Sequence, residues 1–311
     1  MLLADKNDGD FDLKKEPFEW IFLEDLADQE AVRQMSFYYM PFEFCCALRA
    51  WLHEYMFHKN GSDRWIFLDA DIMVFGSLKE LWDQLGSGSI LLSPHLTKPV
   101  RADQGEGERL ILQTGLFNGG CLGLRNTDKA LEFIRWFKDR LRYYCLNEPP
   151  QFFVDQYWLN FVPLYFKAVN FLESPAANVG HWNAFQCRME KTAGGEVTVN
   201  GRPLMFMHFS GLEMPHPARF SRWTRIDEGA NKALLLELAE LYRQKLAEND
   251  YENTNRIPYA FNYYNNGQPI SLAMRRLYRE ELMKGAQSEP PFFMEAAKAL
   301  EIKPVPRGKF L

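Results

Sequence analysis

Apolar residues along this chain alternate between short continuous runs and longer stretches at helical spacing, the pattern of a mixed α/β fold. Residues 18–23 (FEWIFL) read as a buried strand. From Phe44 the apolar positions Phe44, Leu48, Trp51, Leu52 and Tyr55 keep a helical period, with Pro41 at the entry and Asn60-Gly61 as the stop. Residues 65–68 (WIFL) form a compact apolar run bounded by carboxylates, and Ser77 reads as the N-cap of a short helix through Leu81 and Trp82. Residues 90–92 and 116–124 are two further strand candidates. Thr127 opens a helix whose apolar face is Leu131, Ile134, Phe137, Leu141 and Tyr144. Residues 154–162 predict another helix and 168–172 a strand, and Asn200-Gly201 predicts a type I′ hairpin between 197–199 and 204–207. After residue 225 helices take over, at 233–246 and 269–283, followed by a Pro-rich basic end.

Strands and helices interleave up to the hairpin, so the pattern predicts an α/β domain over residues 1–225 and a helical extension over 226–311. The length of 311 residues suits two such parts, at about 150 residues per domain. With 47% hydrophobic and 25% charged residues, the composition excludes a disordered or fibrous chain. Lys and Arg number 36 against 41 Asp and Glu, a net charge of −5, which argues against a nucleic-acid binder. No run reaches the roughly 18 apolar residues of a membrane span. The start, MLLADKNDGDFD, lacks the basic flank and apolar core of a signal peptide. The cysteines Cys45, Cys46, Cys121, Cys145 and Cys187 show no C-x-x-C spacing and read as reduced thiols. These features together predict a cytoplasmic protein.

Residues 65–76, WIFLDADIMVFG, carry the most chemistry. Asp69 and Asp71 follow an apolar run directly. In an extended segment positions i and i+2 project to one side, so both carboxylates converge while Ala70 faces away. Two converging carboxylates call for a cation, and hard oxygen ligands at a strand end suit Mg²⁺ or Mn²⁺ bound together with phosphates. A surface turn with two solvated aspartates is the alternative.

FLDADIMVFGSLKELW resembles the D-x-D segment of glycosyltransferases with the GT-A fold, especially the family 8 type that includes glycogenin and bacterial lipopolysaccharide sugar transferases. Three more segments resemble that family in the same order. They are Leu116-Phe117-Asn118-Gly119-Gly120, Asp155-Gln156-Tyr157-Trp158-Leu159-Asn160 and Met207-His208-Phe209-Ser210-Gly211. The SPH at 93–95 and the N-x-x-x-W-N from Asn178 to Asn183 are similar to a bacterial branch of GT-A-like transferases. The resemblance implies a GT-A mixed sheet with helices on both faces. It also implies transfer of a sugar from a nucleotide-sugar donor, UDP-linked as the first expectation, to a saccharide or glycolipid acceptor with retention of configuration. Bacterial surface polysaccharide synthesis, at a site peripheral to the inner membrane, is the setting it suggests.

The residue roles follow from the same resemblance. Asp69, Asp71 and His208 are the expected metal ligands. The mixed carboxylate and imidazole set leans toward Mn²⁺, with Mg²⁺ as the other choice. Asp155 and Gln156 are the expected catalytic pair beside the anomeric carbon. Arg49, Asp69, Ala70, Asp71, Asn118, Gly119, Gly120 and Gly211 are expected on the donor, and His95, Trp182 and Asn183 on the acceptor. Bland alternatives stand beside each: a backbone-bonded buried histidine for His208, a helix N-terminus for Asp155, a β-bulge at Asn118, a solvated helix face for Arg49, and ordinary packing for His95 and Trp182.

Two departures from the family pattern stand out. Where the family carries a Lys after the H-x-x-G glycine, this chain has Met214, Pro215 and His216, leaving Arg219 or Arg222 to hold the diphosphate. Met1-Leu2-Leu3-Ala4-Asp5 resembles the family's second strand, so about 30 residues of the expected opening strand and helix are missing from this sequence. A transferase-like scaffold without turnover is therefore one competing expectation. An aspartate-nucleophile phosphatase is another, although Met73 stands where that motif needs Thr or Val.

Overall fold

The computed structural model describes residues 1–6, 12–59, 62–214, 218–224, 226, 228–286 and 288–301. Asn60-Gly61, Pro215 and His216 lie outside them. Two compact units emerge. One comprises Met1–Lys59, Ile134–Asn147 and Ile257–Leu311, and the other Asn60–Phe133 and Glu148–Arg256. The helices after residue 225 are shared out, Lys232–Glu248 to the second unit and Leu272–Met283 to the first.

The first unit is helical. Gln29–Tyr38 starts where the Asp28 side chain accepts from the Ala31 amide, and Pro41–His58 starts where Glu43 accepts from the Met40 amide. Leu272–Met283 is capped by Ser271. Phe37 is wholly buried among the rings of Tyr264, Tyr278 and Phe292. Residues 18–23 are not a strand. The Phe22 amide donates to Asp25, which turns the chain into a 3-10 helix at Leu23–Asp25, and only Ile21 pairs, in a parallel bridge with Leu2.

The second unit is a mixed α/β fold. Strand β1 (Arg64–Leu68) is followed by β2 (Ile72–Val74), β3 (Ile90–Pro94) and β4 (Phe117–Arg125). A four-stranded sheet runs in the order β1, β4, β3, then Val169–Phe171. β4 is antiparallel to both neighbours, and β3 is parallel to Val169–Phe171. β4 is buried from Phe117 through Leu124, as a central strand must be, and two of its glycines admit close neighbours. β1, by contrast, ends the sheet's order among the described residues, with Arg64 exposed, Trp65 buried and Ile66 to Leu68 half-buried.

The hairpin forms at Asn200-Gly201, both left-handed at φ 51° and 76°, as a type I′ turn requires. Its second arm is Arg202–Pro203, not 204–207. Phe206–His208 leaves the hairpin to pair antiparallel with β2, with His208 opposite Ile72. Residues 154–162 form a 3-10 helix at Gln156–Phe161 that passes into a short turn of α-helix at Val162–Tyr165. Among the described residues no helix is long and apolar enough to cross a membrane. All five cysteines are free thiols, with Cys46, Cys121 and Cys145 buried and Cys45 exposed.

Candidate functional site

Three chain segments meet beyond the end of β1, all within the second unit. The Asp69 amide donates to Gly120 O at 2.9 Å, continuing the β1–β4 ladder by one residue. The chain then turns, with the Ile72 amide donating to Asp69 O at 3.1 Å. Phe209 N donates to Asp71 O at 2.9 Å and His208 N to Val179 O at 2.9 Å. Asp69 to Asp71 is thus a turn and not the extended segment expected from the pleat. A reversal of chain direction, not strand alternation, brings the carboxylates together, and Ala70 at its tip is exposed.

The result is a tight donor set. His208 Nε2 lies 2.9 Å from Asp71 Oδ1 and 3.9 Å from Asp69 Oδ2. One ligand atom from each of the three residues fits within 4.8 Å of the others. His208 is buried and the carboxylates are part-exposed, 21% for Asp69 and 45% for Asp71, so the set opens to solvent on the carboxylate side. Gly120 supplies the space. A Cβ there would lie 2.5 Å from His208 Cε1 and 2.6 Å from Asp69 Oδ2. Two carboxylates and an imidazole around a space that only glycine leaves open fit a divalent cation of the Mn²⁺ or Mg²⁺ kind.

A buried polar network lies beside this set, and three backbone groups dictate its orientation. His95 Nδ1 is 2.9 Å from Gly115 O, and a carbonyl only accepts, so Nδ1 carries the proton. His95 Nε2 is then an acceptor and takes a hydrogen bond from Asn118 Nδ2 at 3.3 Å. Gln156 Nε2 donates to Thr114 O at 2.8 Å, and its Oε1 accepts from the Gly119 amide at 3.0 Å and from Asn118 Nδ2 at 3.3 Å. Asn118 Oδ1 accepts from Asn178 Nδ2, whose other proton goes to Ser93 Oγ. Gly115 carries φ 115°, a backbone open to glycine, and a Cβ there would press on Gln156.

Burial pushes the His95 pKa down to about 4; the Gly115 hydrogen bond opposes this only in part, and the nearby His208 adds to it. An unfolded histidine titrates near 6.5. Between pH 6.5 and 4 the unfolded chain therefore binds a proton that folded His95 refuses, and the stability present above pH 6.5 is lost progressively as pH falls through that window. The loss amounts to about 3 kcal/mol. Urea unfolding between pH 7 and 4.5 is expected to show a flatter acid limb for His95→Gln. The slope that remains has a source in His53, also buried, with its pKa pushed down to about 3.

The expected site residues distribute unevenly. Asp69, Asp71, His208 and Gly120 converge, as do His95, Asn118, Gly119 and Gln156. Asp155 is buried just ahead of Gln156, at the N-cap position of its 3-10 turn, and its side chain does not cap that turn. Val154 before it is β-branched at φ 39°, a strained backbone that fixes the direction in which Asp155 and Gln156 leave the chain. Asn183 serves its own turn, accepting from the Gly180 amide and donating to Asn178 O. Trp182 is 7% exposed and meets the rings of His95, His181 and His208. Gly211, at φ 72°, lies against Trp223. Arg49 belongs to the helix Pro41–His58 of the first unit, half-buried. Asn178, the first residue of the N-x-x-x-W-N segment, joins the network through Asn118, while Tyr242 holds a place that spacing does not signal. Tyr242 stacks on Phe209 at 4.3 Å, and its pKa rises to about 12 through burial and the Asp71 charge.

No family model matches the chain. It is 26% identical over 174 residues to YfnF, an uncharacterised protein of Bacillus subtilis (strain 168), covering 55% of this chain and 57% of that one. It is 25% identical over 183 residues to YfnD of the same organism, also uncharacterised, covering 58% and 57%. The chain thus spans little more than half the length of these relatives. In three dimensions it is similar to the galactosyltransferase LgtC solved with donor and acceptor sugar analogues, at TM-score 0.41 and 18% identity, covering 75% of this chain and 78% of that one. An active-site mutant of LgtC gives TM-score 0.40 at the same identity and coverage.

Proposed function

We propose that this chain is a metal-dependent glycosyltransferase of the GT-A type, taking a sugar from a nucleoside-diphosphate donor, UDP-linked first, to a saccharide or glycolipid acceptor. The observation that carries the reading is the Asp69, Asp71 and His208 donor set around the space left by Gly120. Retention of configuration and a place in bacterial surface polysaccharide synthesis are part of the proposal and rest on the sequence resemblance.

Asp69, Asp71 and His208 would hold the ion. When bound, a divalent ion supplies Lewis-acid stabilisation of the charge that grows on the diphosphate as the sugar–phosphate bond breaks. Gly119 and Gly120 let the donor approach the backbone of β4, while Asp155 and Gln156 line the sugar side. Gln156 accepts two hydrogen bonds and donates one within the protein, so its first task is to fix Asn118 and Gly119. Arg222 is the phosphate-side cation in place of the family's Lys. Its amide donates to Gly211 O at 2.9 Å, and its guanidinium lies 4.6 Å from the centroid of the Trp223 ring. Arg219 is the weaker choice, because its carbonyl is held by the buried Arg243 guanidinium, a like charge.

Calorimetric titration of the full chain with UDP, then GDP, in the presence and absence of Mn²⁺ tests the reading. The expected result is nucleotide binding that needs Mn²⁺ and weakens by 100-fold or more, about 2.7 kcal/mol, in Asp71→Ala. A folded chain that binds neither nucleotide with Mn²⁺ present would sink it.

A further inference from the structure

We infer that Trp182 is the positioning residue that aims the His208 imidazole at Asp69 and Asp71. The inference rests on reading those three side chains as a cation site. A metal-binding histidine normally donates its second ring N–H to a carboxylate or a backbone carbonyl, and that hydrogen bond fixes the ring. Among the described residues His208 has no such partner. Its Nε2 faces the two carboxylates, and its Nδ1 is buried with no hydrogen-bond partner among the described residues. Another contact has to set the ring plane.

Trp182 supplies it. The indole meets His208 edge to face, at 90° and 5.2 Å between centroids. It is held in turn from two other sides. His95 packs on it at 87° and 5.1 Å, and His95 is itself tied to Gly115 O. Underneath, the indole lies on Gly180 so closely that a Cβ there would sit 2.6 Å from Cη2 and Cζ2. The ring is thereby a fixed wall whose placement descends from backbone atoms at Gly115 and Gly180. An acceptor platform would present an open ring face, whereas Trp182 is 7% exposed and three imidazoles already contact it. The acceptor role expected for Trp182 therefore yields to an orienting one.

Mn²⁺ affinity, measured by calorimetry on the full chain without nucleotide, is the readout. Loss of an outer-shell partner typically weakens a metal site by about 10–100-fold, and a loss in that range is expected for Trp182→Ala. Trp182→Phe, which keeps a ring against His208, is expected to retain wild-type affinity within about 3-fold. Gly180→Ala keeps the tryptophan but pushes it off its seat, so it is expected to weaken Mn²⁺ binding as well; it answers the question even if Trp182→Ala does not fold. Wild-type affinity in Trp182→Ala or in Gly180→Ala overturns the inference, and so does a loss in Trp182→Phe equal to that in Trp182→Ala. A wild-type chain that binds no Mn²⁺ instead overturns the cation site itself.

Discussion

Gly120→Ala is expected to abolish Mn²⁺ binding, with a loss of at least 100-fold, while the fold persists. The added methyl would lie 2.5 Å from His208 Cε1, 2.6 Å from Asp69 Oδ2 and 3.0 Å from Asp69 Cγ. None of these atoms can yield easily. His208 is buried against Trp182, and Asp69 is anchored by its amide to Gly120 itself. The ligands must therefore part, and a site assembled within 4.8 Å has no slack for that. The backbone is indifferent to the change, because Gly120 is an ordinary strand residue with no left-handed φ. Alanine in a strand recovers about 0.5–1 kcal/mol of backbone entropy, which offsets part of an overpacking cost of about 1–3 kcal/mol. Calorimetry with Mn²⁺, alongside a thermal unfolding curve, separates the two effects. Gly194→Ala is the control, since a Cβ there meets nothing nearer than 3.8 Å. Wild-type Mn²⁺ affinity in Gly120→Ala would mean that no ion sits between Asp69 and His208.

Arg275→Met is expected to destabilise the chain by about 3–5 kcal/mol, read as a lower urea midpoint at unchanged slope. Arg275 is 1% exposed. Its Nη1 donates to Phe37 O at 2.6 Å and Tyr39 O at 2.8 Å, and its Nη2 donates to Phe261 O at 2.7 Å and Asn262 Oδ1 at 3.3 Å. The first two acceptors lie at the C-terminal end of the helix Gln29–Tyr38, where carbonyls have no partner further along the helix and a positive charge opposes the dipole. Methionine fills much of the volume but leaves these buried acceptors unmet, at about 1–3 kcal/mol each before relaxation. Lysine keeps the charge without the fork and is expected to recover less than half of the loss. An Arg275→Met chain as stable as the wild type would show that the carbonyls find other donors.

The parts of this molecule that were legible in its sequence share one property, namely that a local pattern carries them. β1, β3 and β4 are compact apolar runs, and Asn200-Gly201 can hardly be anything but a turn; the helix Asp128–Tyr144 follows Thr127 and buries Ile134, Phe137 and Leu141 as expected, but with Ala130 and Phe133 in place of Leu131 and the exposed Tyr144. Where a non-local partner decides the outcome, pattern fails. FEWIFL has strand composition, yet the Asp25 carboxylate takes the Phe22 amide and turns the chain. Phe206–His208 leaves its hairpin because β2 is its better partner. Gln29–Tyr38 and Gly105–Thr114 form helices over segments rich in polar residues or glycine, where apolar spacing is faint.

The site divides the same way. Asp69, Asp71 and His208 are readable as residue types at known spacing. That the carboxylates converge through a turn is not, because the pleat argument assumes an extended backbone that ends at Leu68. Ser93 and Asn178 stand in the S-P-H and N-x-x-x-W-N segments, but that they hold Asn118 is not readable, since Asn118 comes from a different strand.

The one-way hydrogen-bond chain from Gly115 O and Thr114 O through His95, Gln156 and Asn118 to Asn178 has a consequence for descent. Each amide in it is oriented by its neighbour, so exchanging one oxygen for one nitrogen anywhere sets like groups face to face down the line. An aspartate at position 118, for example, would turn an acceptor toward the His95 lone pair. A single substitution at any of these four positions therefore breaks at least one bond of the chain, and a change that keeps every bond has to alter neighbouring positions together.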